Sequence, residues 1–431
     1  MNEIDNCFAA AEKNLNVNTA YPVYKNLFQK YRKCDFDLFR HTTDISFYIH
    51  VPFCRQFCSF CEYTKFLSGD EEGESHYVDM VERQMDEFLT AHPDIDMLYG
   101  FDIGGGTPTA LSERNLTRLL KLQKSVEDRF KKNGDFQKSI EISFSTMTDE
   151  KLRKISDYGF ERISAGIQSA DKKIMQHLGR FYTEIESIVR VREKIRKSGI
   201  RKFNIDLMYG LPGQDERTLK ETIRAISLIR PEQITVYETR YNNNHLSSGT
   251  LTREEQYEQY CMLYQAITEL GYTGRFGQNT FDIDGDIGVS SYLKYRMEEC
   301  ISYRGFGVSA QSMSMEGLSY GACKNLKQTK MPEMERIEDG VIYHLPKEEI
   351  AAKYVSIALY GGSFRLDILG RILDESPFTF YKEELDYIFG NDYVYKEGNE
   401  VILTKKGFRH YAAVGALFWS KEQRRRLTEG E

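Results

Sequence analysis

Between residues 45 and 240 the chain alternates short β-branched or aromatic runs with longer charged amphipathic stretches, and this alternation constrains its fold more than any other feature. The runs lie at 45–51, 99–105, 139–145, 162–168, 202–210 and 234–240, and each reads as a strand. Between them, 76–92 and 185–199 carry apolar residues at helical spacing, the second closing on Gly199 as a helix C-terminus would. Strict alternation implies right-handed βαβ units and a parallel sheet, either doubly wound or bent into a barrel.

The pattern changes after 251. A helix is expected over 253–270, then a Gly/Asp-rich turn at 283–288 and the segment RGFGVSA at 304–310. Residues 347–431 read as helices at 347–360, 364–373 and 379–390, a strand pair near 393–396 and 400–403, and a last helix at 406–420. Three helices and a hairpin suggest a winged-helix-like α+β module, a kind of unit that often binds DNA. Its 13 Lys/Arg against 14 Asp/Glu give no basic footprint, so a lid over an active site is the better reading. The whole chain, with 58 Lys/Arg against 65 Asp/Glu, argues equally against a general binder of nucleic acid or anionic membranes. The start of the sequence has no secretory pattern, and no run of about 18 apolar residues occurs, so a cytoplasmic location is expected. The expected division is an N-terminal flank (1–40), a barrel (41–275), a connecting extension (276–345) and the lid module (346–431).

Eight cysteines are present, and three of them crowd into one loop directly after the first strand: Cys54, Cys58 and Cys61. Ligands gather on that side of a parallel sheet. Three thiolates can hold three corners of a [4Fe–4S] cube and leave one iron open. A zinc knuckle is the alternative, but it needs a fourth ligand, and the nearby His50 lies within the strand.

The cysteine loop resembles the radical S-adenosylmethionine (SAM) superfamily. Four further motifs, at 48–54 (YIHVPFC), 104–109 (GGGTPT), 163–169 (ISAGIQS) and 204–214 (NIDLMYGLPGQ), are similar to its oxygen-independent coproporphyrinogen III oxidase-like branch. The resemblance covers about 45 to 310 and is weaker in the C-terminal module. It implies an α/β fold, a partial (β/α)6 barrel, with a [4Fe–4S] cluster on Cys54, Cys58 and Cys61. It also implies a SAM site: Gly104, Gly105, Gly106 and Thr107 at the methionine amino group, Phe60 beside the adenine, and Glu141, Gln168, Arg180 and Asp206 around the ligand. Tyr48, Glu141 and Gln168 are the catalytic candidates, Tyr48 abutting the sulfonium and the cluster. Each residue also has a plainer reading: the glycines as a turn, Phe60 and Tyr48 as packing, Glu141 and Arg180 as solvated charges.

Two departures bear on the reaction. Coproporphyrinogen oxidases of this branch carry a cysteine two residues beyond the third cluster cysteine, where this chain has Tyr63. The related heme chaperones carry His-Asn-x-x-Tyr-Trp where this chain reads Ser291 to Arg296, and its one tryptophan is Trp419. The resemblance then favours class C radical SAM methyltransferases and cyclopropanases, with a second SAM molecule and methyl or methylene transfer to an sp2 carbon. Coproporphyrinogen oxidation and heme carriage are the alternatives. The implied partners are a small unsaturated or aromatic substrate, tetrapyrroles included, and a flavodoxin- or ferredoxin-like electron donor, with no nucleic acid and no membrane.

Overall fold

The computed structural model describes residues 2–15, 21–240, 249, 251–321, 331 and 335–430. Cys323 and part of the expected 276–345 extension lie outside them.

All six expected strands form: β1 (Asp44–Val51), β2 (Met97–Gly105), β3 (Lys138–Ile142), β4 (Arg162–Gln168), β5 (Lys202–Tyr209) and β6 (Gln233–Glu238). Each pairs in parallel with the next. Strand order therefore follows chain order, which is barrel winding; a doubly wound sheet would reverse direction midway. At one edge β7 (Thr280–Asp282) lies antiparallel to β6, and at the other β8 (Ser302–Phe306) lies parallel to β1. An antiparallel meander of Gln311–Ser314, Gly317–Gly321 and Asp339–His344 continues beyond β8.

The two faces of β1 show how the arc is held. Ile45, Phe47 and Ile49 are fully buried under the helices, Phe47 meeting Phe88 of the helix Glu71–Ala91 edge-on at 6.1 Å. Burying such a side chain is worth roughly 1.5–3 kcal/mol. The alternate residues Ser46, Tyr48 and His50 are left for the concave face.

Departures from the expected elements have local causes. The helix expected from 76 starts at Glu71, behind the N-cap Asp70, because an acidic first turn carries no apolar periodicity. The strand expected over 139–145 stops at Ile142, where the Thr109 hydroxyl accepts the Ser143 N–H at 3.2 Å and bonds the Thr146 hydroxyl at 2.7 Å, setting a turn. The helix expected over 406–420 breaks into Lys405–Arg409 and Tyr411–Leu417, followed by Lys421–Glu429. His410 sits at the break, its Nδ1 2.9 Å from Glu12 Oε2.

The C-terminal module has the expected helices, Lys347–Ala358, Leu366–Leu373 and Lys382–Gly390, and the hairpin Val394–Glu397 with Glu400–Leu403. A third strand, Ser363–Arg365, joins that hairpin and is too short for its alternation to register in sequence. Residues of the N-terminal flank also belong to this wall. The helix Glu3–Asn14 packs on Tyr411–Leu417 and Lys421–Glu429, with Phe8 stacked on Tyr393 at 5.0 Å. Among the described residues no helix is long and apolar enough to cross a membrane.

Candidate active site

The cysteine loop leaves β1 and is clamped at its base, where Phe53–Cys54 pairs in parallel with Phe66–Leu67. Its far side is tied to the segment after β4 by the Ser59 N–H, which donates to the Leu178 carbonyl at 3.0 Å. Buried Lys65 sits beneath the loop and donates to the carbonyls of Cys58 and Cys61, each at 3.2 Å. Arg180 reaches the same place, its Nη1 3.7 Å from Cys58 Sγ and its Nη2 donating to Gly166 O at 2.7 Å. The solvated-charge reading of Arg180 is thereby excluded, and its position against a thiol ties it to the loop as much as to any ligand beyond it.

Burial pushes the Cys54 thiol up to about 11, against a weak contact from Thr107; Cys61 and Cys58 are near enough to push it further. The Lys65 ammonium acts in the opposite sense. Among the described residues no three His, Cys, Asp or Glu side chains are set to hold a single metal ion. A cube does not ask for that, since its cysteines bond different irons. His50 is spoken for: its buried ring bonds the Thr64 carbonyl at 3.2 Å, and burial lowers its pKa to about 4.

The glycine run ends β2 beside this loop. A Cβ on Gly106 would stand 2.9 Å from Cys54 Sγ, and one on Gly104 would stand 2.6 Å from the Glu141 carboxyl. Gly105 adopts φ +113°, open to glycine but not to side chains. Glu141, on β3, accepts the Gly105 N–H at 3.0 Å. Burial, then the neighbouring Asp206, pushes Glu141 up to about 8, although its own surface is accessible. Its bond to the Gly105 N–H turns Glu141 toward the glycine run and the cysteine loop. Asp206, on β5, accepts from Ser164 at 3.1 Å and Asn204 at 2.8 Å, and burial raises its pKa. Gln168 ends β4 at a bulge with φ +66°, and its Oε1 is buried without a partner. Phe60 packs on the small cluster of Ile174, Met175, Leu178, Met208 and Leu211, as its plainer reading has it.

Tyr63 looks into the same space. It is 64% accessible, yet burial pushes its phenol up to about 12, with Glu141 the next cause. Tyr48 stacks on Tyr292 at 5.6 Å and shares the field of Glu141 and Tyr63. The structure thus gathers Tyr48, the glycine run, Glu141, Gln168, Arg180 and Asp206 around the cysteine loop, at the C-terminal ends of the strands.

The opposite wall was not read from the sequence. Tyr237 and Glu238 end β6; Tyr237 lies 6.4 Å from Tyr360, and Glu238 is hydrogen-bonded by Tyr411, both partners coming from the C-terminal module. Burial raises Glu238 to about 7. Arg240 pairs with Glu62 of the cysteine loop at 3.1 Å, joining the two walls. The signal for Tyr237, Glu238 and Arg240 was their place at a strand end; Tyr360 and Tyr411 carry no local signal.

Comparison with known proteins gives a consistent picture. Residues 48–226 match the family model described as Radical SAM superfamily. The chain is 30% identical over 195 residues to the heme chaperone HemW of Bacillus subtilis, covering 44% of this chain and 49% of that protein. It is likewise 30% identical over 195 residues to the oxygen-independent coproporphyrinogen III oxidase of Escherichia coli, covering 45% and 41%. These two alignments span less than half of the relatives' length. With the heme chaperone HemW of Lactococcus lactis the identity is 24%, over 84% of this chain and 94% of that one. Among solved structures, coproporphyrinogen III oxidase (HemN) from Escherichia coli superposes with a TM-score of 0.70 at 20% identity, over 88% of this chain and 91% of that one, which is a likeness of fold.

Proposed function

We propose, on the premise that this chain is a radical SAM enzyme with its radical SAM domain over residues 48–226, that it withdraws hydrogen from a tetrapyrrole-like small molecule held between the cysteine loop and the C-terminal module. The superfamily carries a [4Fe–4S] cluster and SAM, which together supply a one-electron cleavage of SAM and a 5′-deoxyadenosyl radical that abstracts hydrogen. The residues present fit both groups. Lys65 and Arg180 set positive charge against three thiols that must ionise to bind iron. The unpartnered Gln168 Oε1 and the raised acids Glu141 and Asp206 await donors and positive charge, which an amino group, ribose hydroxyls and a sulfonium provide.

Cys54, Cys58 and Cys61 would hold the cluster. Gly104, Gly105 and Gly106 leave room for a ligand's main-chain-like end, and Glu141, fixed by the Gly105 N–H, would receive its ammonium. Asp206, held by Ser164 and Asn204, would orient the ribose. The C-terminal module reaches the end of β6 through Tyr360 and Tyr411, the place from which a lid would confine a reactive radical.

The observation that carries the reading is the exposed Tyr63 beside the cysteine loop, with Tyr48, Glu141 and Asp206 gathered at the neighbouring strand ends. The relatives named above are an oxidase and heme chaperones, none a methyltransferase, and they support the oxidase-type reading over the methyl transfer expected from Tyr63 and residues 291–296. The chaperone reading asks nothing of a complete SAM site. Anaerobic incubation with SAM, dithionite and coproporphyrinogen III tests the proposal: 5′-deoxyadenosine with carbon dioxide release is the expected result. SAM cleavage without carbon dioxide would reject the oxidase-type reading, and methyl-deuterated SAM yielding deuterated 5′-deoxyadenosine would restore methyl transfer. If Tyr63 limits the step for which the oxidases use cysteine, Tyr63→Cys should raise the rate of carbon dioxide release.

A further inference from the structure

Arg296 has a positive charge and, among the described residues, no counter-ion. It lies on the helix Ser291–Glu298, which carries Tyr292 against Tyr48. Its guanidinium stacks over the Tyr303 ring, Cζ 4.4 Å from the centroid, with Nη1 3.4 Å from Tyr292 Oη and Nη2 3.2 Å from Gln311 Oε1. A guanidinium has five N–H donors, so two contacts leave donors over, and Nε is buried without a partner. The groups that act on its charge are the phenols of Tyr303, Tyr292 and Tyr63, and among the described residues no carboxylate pairs with it. Phenols are neutral below about pH 10, so at physiological pH none of them balances the charge.

A second cation lies within electrostatic reach of Arg296. Lys353, on the helix Lys347–Ala358, is buried and donates to the Tyr21 carbonyl at 2.6 Å. Burial, then the positive charges of Arg296, Lys25 and Arg240, lowers its pKa to about 7. Arg296 is thus in electrostatic reach of Lys353 and of Tyr63, while Arg240 is paired with Glu62. An uncompensated buried charge is costly to keep, and a ligand that brings the counter-ion recovers that cost.

We infer that Arg296 is an anion-binding, specificity-determining residue of the cavity, taking a carboxylate borne by an aromatic or conjugated ring that lies against Tyr63. Its planar fork matches a carboxylate, and the exposed Tyr63 offers a face for the ring. The inference rests on the reading that this cavity receives the substrate, and it names a feature of that substrate whatever its carbon skeleton.

Fluorescence titration with pyrene-1-carboxylate and with 1-pyrenemethanol, two flat probes differing in charge, tests it on the full chain without SAM or reductant. The wild type should prefer the carboxylate by about 10- to 100-fold. Arg296→Gln, if it melts like the wild type, should erase the preference, and Arg296→Lys, which keeps the charge and loses the fork, should retain part of it. A wild type that binds both probes alike, or neither, overturns the inference. So does an Arg296→Gln protein that keeps the preference, and a loss seen only in Lys353→Met would give the site to the lysine. Because neither SAM cleavage nor carbon dioxide is measured, failure here leaves the proposed reaction standing, and failure of the reaction leaves this result readable.

Discussion

Two regions around the cysteine loop are built differently and present different groups. On one side, β1 to β5 present Glu141 and Asp206 beside the cysteine loop, each side chain fixed by strand register and by short bonds to its neighbours. On the other, Arg240, Arg296 and Lys353 come with Tyr237, Tyr360 and Tyr411 from a strand end, a late helix and the C-terminal module. Carboxylates suit a cationic ligand and an unpaired guanidinium an anionic one, so the two regions would favour unlike molecules.

The comparison breaks most completely at the cysteines. Replacing Cys54, Cys58 and Cys61 together with Ala should remove the brown absorbance after anaerobic reconstitution; iron and sulfide still bound at about four per chain, as that cluster requires, would move the centre elsewhere. On the acidic wall, Asp206→Ala should weaken SAM binding by about 10- to 150-fold, measured by equilibrium dialysis, with iron content unchanged. Arg180 is a poorer probe because it touches Cys58.

Glu141 sharpens the contrast through pH. Its carboxyl is raised from about 4.5 to about 8 in the ligand-free fold. The folded chain then holds a proton that the unfolded chain gives up, so this group costs stability progressively as pH rises from 4.5 to 8. A cationic ligand favours the ionised form, so SAM affinity should climb as pH passes through 8, and Glu141→Gln should flatten both the affinity and the melting profile. An unchanged pH profile in that variant would assign the titration to another acid. The smallest expected effect lies at the seam between barrel and module: Tyr411→Phe removes the bond to Glu238 and should cost about 0.5–1.5 kcal/mol in denaturant titration while leaving SAM affinity intact.

The acidic wall was legible in the sequence because its residues follow strands whose periodicity marks them: Cys54 comes three residues after β1, and Gly104 and Gln168 lie at strand ends. Tyr63 was legible too, being counted from the cysteines. The basic wall was not. Arg296 sits on a helix with weak amphipathic order, and Tyr360 and Tyr411 reach the cavity only through the packing of the whole C-terminal module, which no local pattern encodes. Lys65 was missed for a related reason: in sequence it is one lysine among many, and only folding brings its Nζ under two carbonyls of the loop.

The pairing of β8 beside β1 also sets a schedule. A ribosome releases β1 and the cysteine loop long before Ser302–Phe306, and the C-terminal module later still. At about 5–20 residues per second, roughly 10–50 seconds separate the two strands. During that interval one edge of β1 has no neighbour and the loop stands in the open, within reach of whatever delivers iron and sulfide. The order of birth leaves a doorway that the finished chain closes.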